Sequence, residues 1–220
     1  MEDIIIVGSS GHAKVVIDAI EKQGAFRIAG LIDRFKRKDE QVLQYSVLGS
    51  EEDLPEITSA LGVTGGIVAI GDNWVRSKVV CAIKRLVPGF RFVSAIHPSA
   101  QIARSVSIGG GTVLMAGTVI NSDSRIGEHC IINTKASIDH DNVLGDFVSL
   151  APNATSGGMV KIDDYSALCL GVNVAHSINI GQHTVIGAGS TVLDDIPSFA
   201  LAFGTPARVQ RQRTVGETYM

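Results

Sequence analysis

One residue in six sets the shape of more than half of this chain. An aliphatic side chain recurs at Ile96, Ile102, Ile108, Leu114, Ile120, Ile126, Ile132, Ile138, Leu144, Leu150, Ile162, Leu168, Val174, Ile180, Ile186 and Val192. Only Ser156 breaks the series, and no insertion or deletion disturbs it. An α-helix repeats near 3.6 residues and a strand near 2, so neither accounts for a period of six. A parallel β-helix does, because each hexad forms one short face and turns a corner, and three hexads close one coil. The fourth residue after each aliphatic is compact, as in Ala100, Val106, Thr112, Thr118, Ser124, Cys130, Ala136, Asn142, Val148 and Ala154. That suits a position beside a narrow core. Gly109, Gly127, Gly145 and Gly181 stand at multiples of one coil, with Asp163 in the remaining slot. They predict a stacked edge whose corner backbone has positive φ.

The remaining composition narrows the function classes. The chain has 220 residues, 45% hydrophobic but only 5% aromatic, which fits a core of stacked Ile, Val and Leu. A net charge of −3 gives nucleic-acid binding little electrostatic support. The start, MEDIIIVGSSGHAK, is acidic and then briefly apolar, unlike a basic signal peptide. No apolar run approaches the length of a membrane span. Cys81, Cys130 and Cys169 lack metal or disulfide-framework spacing and are expected to be reduced core thiols of a cytoplasmic protein.

The first ninety residues follow different rules. Ile4–Val7 is an apolar run that ends in Gly8, Ser9, Ser10, Gly11 and His12, after which Val16, Ala19 and Ile20 recur at helical spacing up to Gly24. RIAGLID (27–33) and GIVAI (66–70) are further strands, the second followed by Gly71, Asp72 and a helix from about Trp74 to Leu86. Strand, glycine turn, helix and strand make a βαβ unit. The expected organisation is a Rossmann-like α/β domain over 1–92, a β-helix over 93–197 and a tail over 198–220 that leaves the coil and wraps over it.

Several residues could carry chemistry. The Gly8–Gly11 turn lies where a strand feeds a helix, so its N–H groups and the helix dipole favour a phosphate. A glycine turn there also serves plain strand–helix packing. Asp33 stands where an acid can reach a ribose hydroxyl, and Asn73 with Arg76 follows the third strand on the same edge, which suggests a pyrophosphate contact. In the solenoid, His140 comes two residues after an inward aliphatic and so points outward between Asp139 and Asp141. The two acids raise its basicity and suit it to general-base work. His176 lies two coils along the same face, while His129 and His183 fall on the glycine edge. Solenoid carbonic anhydrases use an HxxxxH zinc pair, and no such spacing occurs here, so no metal is expected.

GSSGHAKVV at the start, INTKASIDHDNVLGDFVSLAPNATSGG in the middle and FGTPAR at the end resemble one family. It comprises the left-handed β-helix sugar O-/N-acetyltransferases with an N-terminal Rossmann-like domain, above all the bacillosamine- and perosamine-type nucleotide-4-amino-sugar N-acetyltransferases. The resemblance implies transfer from acetyl-CoA to the 4-amino group of a UDP-, GDP- or dTDP-linked 4-amino-6-deoxy sugar, for cell-surface glycan synthesis. It makes His140 the base and Asp141 its partner. It puts the nucleotide sugar on Ser9, Ser10, Gly11, His12 and Asp33, joined by Asn73 and Arg76, with Asn133 near the reacting sugar. It puts coenzyme A between neighbouring subunits of a homotrimer, against Ser149, Gly157, Gly158, Ala188, Gly204, Pro206 and Arg208. Lys161 is a further cation in reach of a diphosphate. The bacillosamine type has a second histidine where this chain has Ser149. Sialic acid O-acetylation and a non-catalytic nucleotide-sensing solenoid are the competing functions, and the segment around Ser156 is the expected place of the acetyl donor.

Overall fold

The solenoid is a product of its corners. In the computed structural model, which describes residues 1–219, the third residue after each inward aliphatic has positive φ without a gap from Ser105 to Gly189. Glycine occupies only Gly111, Gly117, Gly171 and Gly189; the others include Lys135, Asp141, Phe147, Met159 and Tyr165. Left-handed backbone costs an L-residue roughly 1–2 kcal/mol. From His129 onward each corner offsets this with an N–H bond to the preceding coil, as in His129 to the Gly110 carbonyl at 2.9 Å, Asp141 to Ser122 at 3.0 Å, Phe147 to Glu128 at 2.9 Å and Met159 to His140 at 2.9 Å.

Between corners run two-residue strands that pair in parallel with the coil above and below. The first face stacks Ala95–Ile96, Val113–Leu114, Ile131–Ile132, Ser149–Leu150, Ala167–Leu168 and Val185–Ile186. The second runs from Gln101–Ile102 to Thr191–Val192, and the third from Ser107–Ile108 to Asn179–Ile180. This is the three-sided parallel β-helix that the six-residue register predicts, of the left-handed kind that the family resemblance implies. Ile132, Ile138, Leu150 and Ile162 fill its centre together with the compact column of Cys130, Ala136, Val148 and Ala154. Ser156 also points inward, and its hydroxyl is buried without a partner.

The stacked glycines have a different cause from the one expected. None of Gly109, Gly127, Gly145 and Gly181 is among the positive-φ residues; the left-handed position lies two residues further on. A Cβ on Gly127 would stand 2.4 Å from the Gly145 carbonyl oxygen, and one on Gly109 would stand 2.5 Å from the Gly127 carbonyl carbon. Close approach of the next coil therefore excludes a side chain. The left-handed positions carry an aromatic ladder instead. His129, Phe147, Tyr165, His183 and Phe199 stack with centroids 5.1, 5.3, 4.5 and 5.1 Å apart and planes within 13°.

The α/β part contains β1 (Glu2–Val7), α1 (Gly11–Gln23), β2 (Phe26–Ile32), β3 (Gln41–Val42), β4 (Tyr45–Gly49), α2 (Leu54–Leu61), β5 (Gly65–Val68), α3 (Asn73–Leu86) and β6 (Arg91–Phe92). The sheet order is β3-β4-β2-β1-β5-β6, parallel apart from the β3–β4 hairpin. The hairpin and α2 are too short and weakly periodic to announce themselves in the sequence. Gly24 ends α1 in the left-handed region at φ 65°, as its position predicts. Ala13, Val16, Ile17 and Ile20 of α1 pack on Ile4 and Ile6 and share that cluster with Ala95, Val113 and Met115 of the solenoid. The outward residues of the first face (Ala95, Val113, Ile131, Ala167, Val185) are buried, whereas Gln101, Asn173, Arg125, Lys161 and Asn179 on the other faces are exposed. The α/β part thus sits on the first face.

The tail stays in the sheet as far as Gln212, and only then leaves the coil, with Gly216 lying against Trp74 of α3. Ile196 bridges to Ile180, Ala200–Gly204 pairs in parallel with Val185–Ile186, and Ala207–Gln212 returns antiparallel. All three cysteines are free thiols, but only Cys130 is fully buried, and Cys81 is exposed on α3. Among the described residues no helix is long and apolar enough to cross a membrane.

His129 gives the fold an acid-sensitive point. Its ring lies between Phe147 and the edge of Phe92, with neither nitrogen partnered, and burial pulls its pKa down to about 3. The folded state keeps it neutral while the unfolded chain protonates it below its ordinary value of 6.5. Stability therefore falls as pH drops through that value and levels off only near the folded pKa, by up to roughly 1.4 kcal/mol per pH unit. Urea unfolding between neutral pH and acid should show His129→Phe falling less steeply than wild type; equal slopes would assign the loss to another group.

Candidate functional site

A cavity of about 660 Å³ opens where the N-terminus of α1 meets the first face. Ser10, His12 and Gly71 line it from the α/β part, Asn133, Ser149, Cys169 and Ala188 from the solenoid, and Tyr219 from the tail. Its size is that of a small-molecule site. Gly8 makes the turn possible: its φ is 107°, and a Cβ there would meet the Ala69 carbonyl at 2.8 Å. Ser10 caps α1 without a side-chain hydrogen bond, the first turn holds no acid, and space around Gly11 is open. The first N–H groups of α1 are left for an anion. The N-terminus of α3 is closed by contrast, since Asp72 accepts from the Val75 N–H at 2.9 Å.

The structure sorts the residues expected to bind substrate. Ser9 is buried and donates to Asp33 Oδ2 at 2.6 Å, while the Phe35 N–H donates to Oδ1 at 2.8 Å. Ser9 orients the acid rather than facing the cavity. His12 does face it, with its Nε2 buried and unpartnered. Burial, then the nearby Arg76 charge, pulls its pKa down to about 4, so it is neutral at pH 7. Asn133 lines the opposite wall.

Asn73 and Arg76 are not open to a pyrophosphate. Arg76 is 1% exposed, and all three guanidinium nitrogens are engaged. Nε donates to the His129 carbonyl at 2.9 Å, Nη1 to Ile70 and Gly71 at 2.8 Å each, and Nη2 to Asn73 Oδ1 at 2.7 Å and the Phe147 carbonyl at 3.2 Å. Asn73 Nδ2 reaches the carbonyls of Tyr165 and Ser166, and its Oδ1 accepts from Ser149 Oγ at 2.5 Å. This clamp ties α3 to three successive coils. Ser149 is partly consumed by it.

His140 stands at a different corner, after the second face. Asp141 is the left-handed residue there, and its carboxylate meets His140 Nδ1 at 2.8 Å. That bond holds the Nδ1–H tautomer and leaves the Nε2 lone pair free. The Asp141 hydrogen bond, and then the Asp139 charge, raise the His140 pKa. Asp139 is itself fixed by Asn121 Nδ2 at 2.9 Å and by the His140 N–H at 2.9 Å. The imidazole is half exposed and lies over Gly158 one coil on, where a Cβ would meet Nε2 at 2.6 Å. Gly157 makes similar room for His176, whose backbone nitrogen a Cβ would approach to 2.8 Å. Gly158 is thus a spacer for the His140 ring, whereas Gly157, like Gly109 and Gly127, answers to the backbone of the next coil. Ser156 faces the solenoid interior, so it presents nothing to an acetyl donor.

The other residues expected to hold coenzyme A are dispersed. Ala188 lines the cavity, Gly204 and Pro206 stand at the tip of the tail hairpin, and Arg208 pairs with Asp194 at 2.9 Å. Lys161 pairs with Asp163 at 3.2 Å. The sequence reading missed the cavity contributions of Cys169 and Tyr219. Cys169 had a signal in its place next to the inward Leu168, on the face whose outward residues are apolar; Tyr219 had none. Among the described residues no cluster of three metal-ligating side chains occurs.

Comparisons with known proteins agree with this architecture. A family model described as the PglD N-terminal domain matches residues 3–83. A GDP-perosamine N-acetyltransferase mutant from Caulobacter crescentus, solved with CoA and GDP-perosamine, superposes with a TM-score of 0.90 at 38% identity, over 96% of this chain and 98% of that one. The acetyltransferase domain of PglB from Neisseria gonorrhoeae superposes at 0.87 and 30% identity, over 95% and 100%. An acyl-(acyl-carrier-protein)–UDP-N-acetylglucosamine O-acyltransferase of Pseudomonas savastanoi is 33% identical over 108 residues, which span 48% of this chain and 42% of that protein.

The clamp makes a direct prediction. Arg76→Met keeps the volume but leaves the carbonyls of Ile70, Gly71, His129 and Phe147 short of donors. A loss of about 2–5 kcal/mol is expected, with limited proteolysis releasing the α/β part before the solenoid. Wild-type melting and proteolysis would show that the apolar contacts alone hold the two together.

Proposed function

The chain belongs to the hexapeptide-repeat family of nucleotide-amino-sugar acetyltransferases, and from that membership we propose an acetyl-CoA-dependent N-acetyltransferase that acts on the 4-amino group of a nucleotide-linked 4-amino-6-deoxy sugar. The observation that carries the reading is the His140–Asp141 pair, held at a rigid corner over Gly158 with Nε2 free. An amine attacks a thioester only through its lone pair, so the reaction needs a base of near-neutral pKa, and this one meets that need. The amine nitrogen bonds to the thioester carbon, its proton passes to His140 Nε2, and the C–S bond breaks to release the coenzyme thiol, which takes up a proton. Asp141 steadies the imidazolium formed on the way.

The cavity at α1 supports the acceptor assignment. Free N–H groups at the start of α1 suit a diphosphate, and Asp33, held by Ser9, suits a ribose hydroxyl. The buried Arg76 cation adds positive potential there while its N–H groups remain occupied. A nucleotide-free acceptor, as in sialic acid O-acetylation, would leave these features idle. His140 is not among the cavity's lining residues. In our reading a homotrimer solves this: the His140 corner of one subunit faces the cavity of its neighbour, and coenzyme A lies in the cleft between them near Ala188, Gly204, Pro206 and Arg208. Acetyl-CoA and nucleotide sugars place such a reaction in the cytoplasm.

His140→Ala should lower thiol release from acetyl-CoA by roughly 10²–10⁴-fold with an accepted nucleotide-linked 4-amino sugar; turnover near wild type would remove His140 as the base. Only neutral His140 can take a proton, so the rate should fall on the acid side of its raised pKa. Asp141→Asn deletes the partner that raises that pKa and should shift the acid limb of kcat to lower pH with a smaller maximum. Thermal stabilisation by GDP, UDP and dTDP tests the nucleotide assignment, and no shift with any of them would exclude it.

A further inference from the structure

One corner of the solenoid interior, directly behind the proposed base, holds two polar side chains with unpartnered oxygens. The compact column that lines the core consists of Ala, Val, Ser, Thr, Cys and Ile apart from a single amide, Asn142. It is fully buried at 0% exposure. Its Nδ2 lies within hydrogen-bond distance of three carbonyls, Asp139 at 2.8 Å, His140 at 3.1 Å and Gly157 at 2.9 Å, among which its two N–H groups are shared. Ser156, the one lapse in the aliphatic series, adjoins that Gly157, and both its hydroxyl and Asn142 Oδ1 are buried without partners. Two unpartnered polar atoms thus share one corner, whereas the buried hydroxyls of Thr112, Thr118, Ser124, Ser166, Thr184 and Ser190 are all hydrogen-bonded. Each unmet polar atom there carries a cost of about 1–3 kcal/mol, so stability alone does not favour them.

Other polar residues in the column show what is ordinary. Thr112 Oγ1 donates to the Gly127 carbonyl at 2.9 Å, Ser124 Oγ to Asp139 at 2.8 Å and Ser166 Oγ to Gly181 at 2.7 Å. Each ties its corner to the carbonyl fifteen residues on, and the Asn142–Gly157 bond is the same tie. What the amide adds is a hold on the carbonyl of His140 itself and a second hold, beside Ser124, on that of Asp139. We infer that Asn142 is a positioning residue for the reaction: it fixes the backbone that carries His140, so that the imidazole keeps its place between Asp141 and the Gly158 surface. The residue does not touch substrate. It acts through the His140 peptide, and the inference rests on His140 being the base.

A hydroxyl can make the common tie or a local one, as Thr118 does to the Met115 carbonyl at 3.0 Å and Ser190 to Gly187 at 2.6 Å, but its single proton cannot hold Gly157 and the His140 peptide together as the two N–H groups of the amide do, which separates the two roles. With the best acceptor from a panel of UDP-, GDP- and dTDP-linked 4-amino sugars, Asn142→Ala should lower kcat by about 10–100-fold, the range expected when a catalytic group is displaced by about an ångström. KM for acetyl-CoA and for the sugar nucleotide should stay near wild type. Asn142→Ser should restore the melting temperature, as the serines at 124 and 166 do for their own corners, while kcat stays low. Thr112→Val, which deletes an ordinary tie far from His140, should lower the melting temperature and leave kcat unchanged. If both Asn142 variants keep wild-type kcat, or if kcat follows melting temperature across all three, the residue is merely structural and the inference falls. His140→Ala, assayed beside them, separates this from failure of the base assignment: an active His140→Ala overturns the base, whereas an inactive one with fully active Asn142 variants overturns only the positioning role.

Discussion

The left-handed backbone at every sixth residue is the constraint from which the rest of this molecule follows. It turns the chain sharply enough for two-residue strands to close a three-sided coil, and it recurs from Ser105 to Gly189 without exception. Few sequences hold an L-residue there cheaply. Stacking offsets that cost, because from His129 onward each corner N–H finds a carbonyl of the preceding coil. The same geometry builds function into the repeat. At one corner it turns Asp141 back onto the histidine that precedes it. At another it stacks five rings from His129 to Phe199 into the wall that the α/β part abuts.

Attachment of the α/β part depends on a buried cation with no carboxylate partner. Arg76 replaces its hydration with peptide carbonyls from its own domain and from two successive coils, and Asn73 extends the grip to a third. A guanidinium suits this because its donors form a fixed planar fork. The α1 N-terminus is thereby set against the first face and the cavity is formed. The charge also adds to burial, the larger cause, in keeping His12 neutral at the cavity wall. Attachment and electrostatics of the site share one residue.

Departures from the repeat mark where it serves something besides stability. Gly158 leaves room for an imidazole, Asn142 brings the one amide into a column of small residues, and Ser156 replaces an aliphatic in the same corner. A solenoid selected for packing alone would carry an Ala, a Val and an Ile in such places. Regular proteins break their own rules mainly at functional sites, and here the three breaks surround one histidine.

The sequence by itself determined the solenoid, the outward histidine between two acids and the glycine turn before α1. All three are local or strictly periodic properties, and a period survives whatever the tertiary context. It also held the mark of the covered face, in the outward residues Ala95, Val113, Ile131, Ala167 and Val185, apolar at every coil but that of Ser149, whereas the other faces are mainly polar there apart from Val119 and Val143. Only the tertiary structure decided that Asn73 and Arg76 face inward, because their partners are carbonyls some fifty to ninety residues away. It alone showed that the stacked glycines answer to the next coil's backbone instead of to positive φ, and that Tyr219 returns to the cavity. The physical reason is common to all of these. A backbone carbonyl or a neighbouring coil has no residue identity to read, so contacts made to it leave no pattern in the sequence.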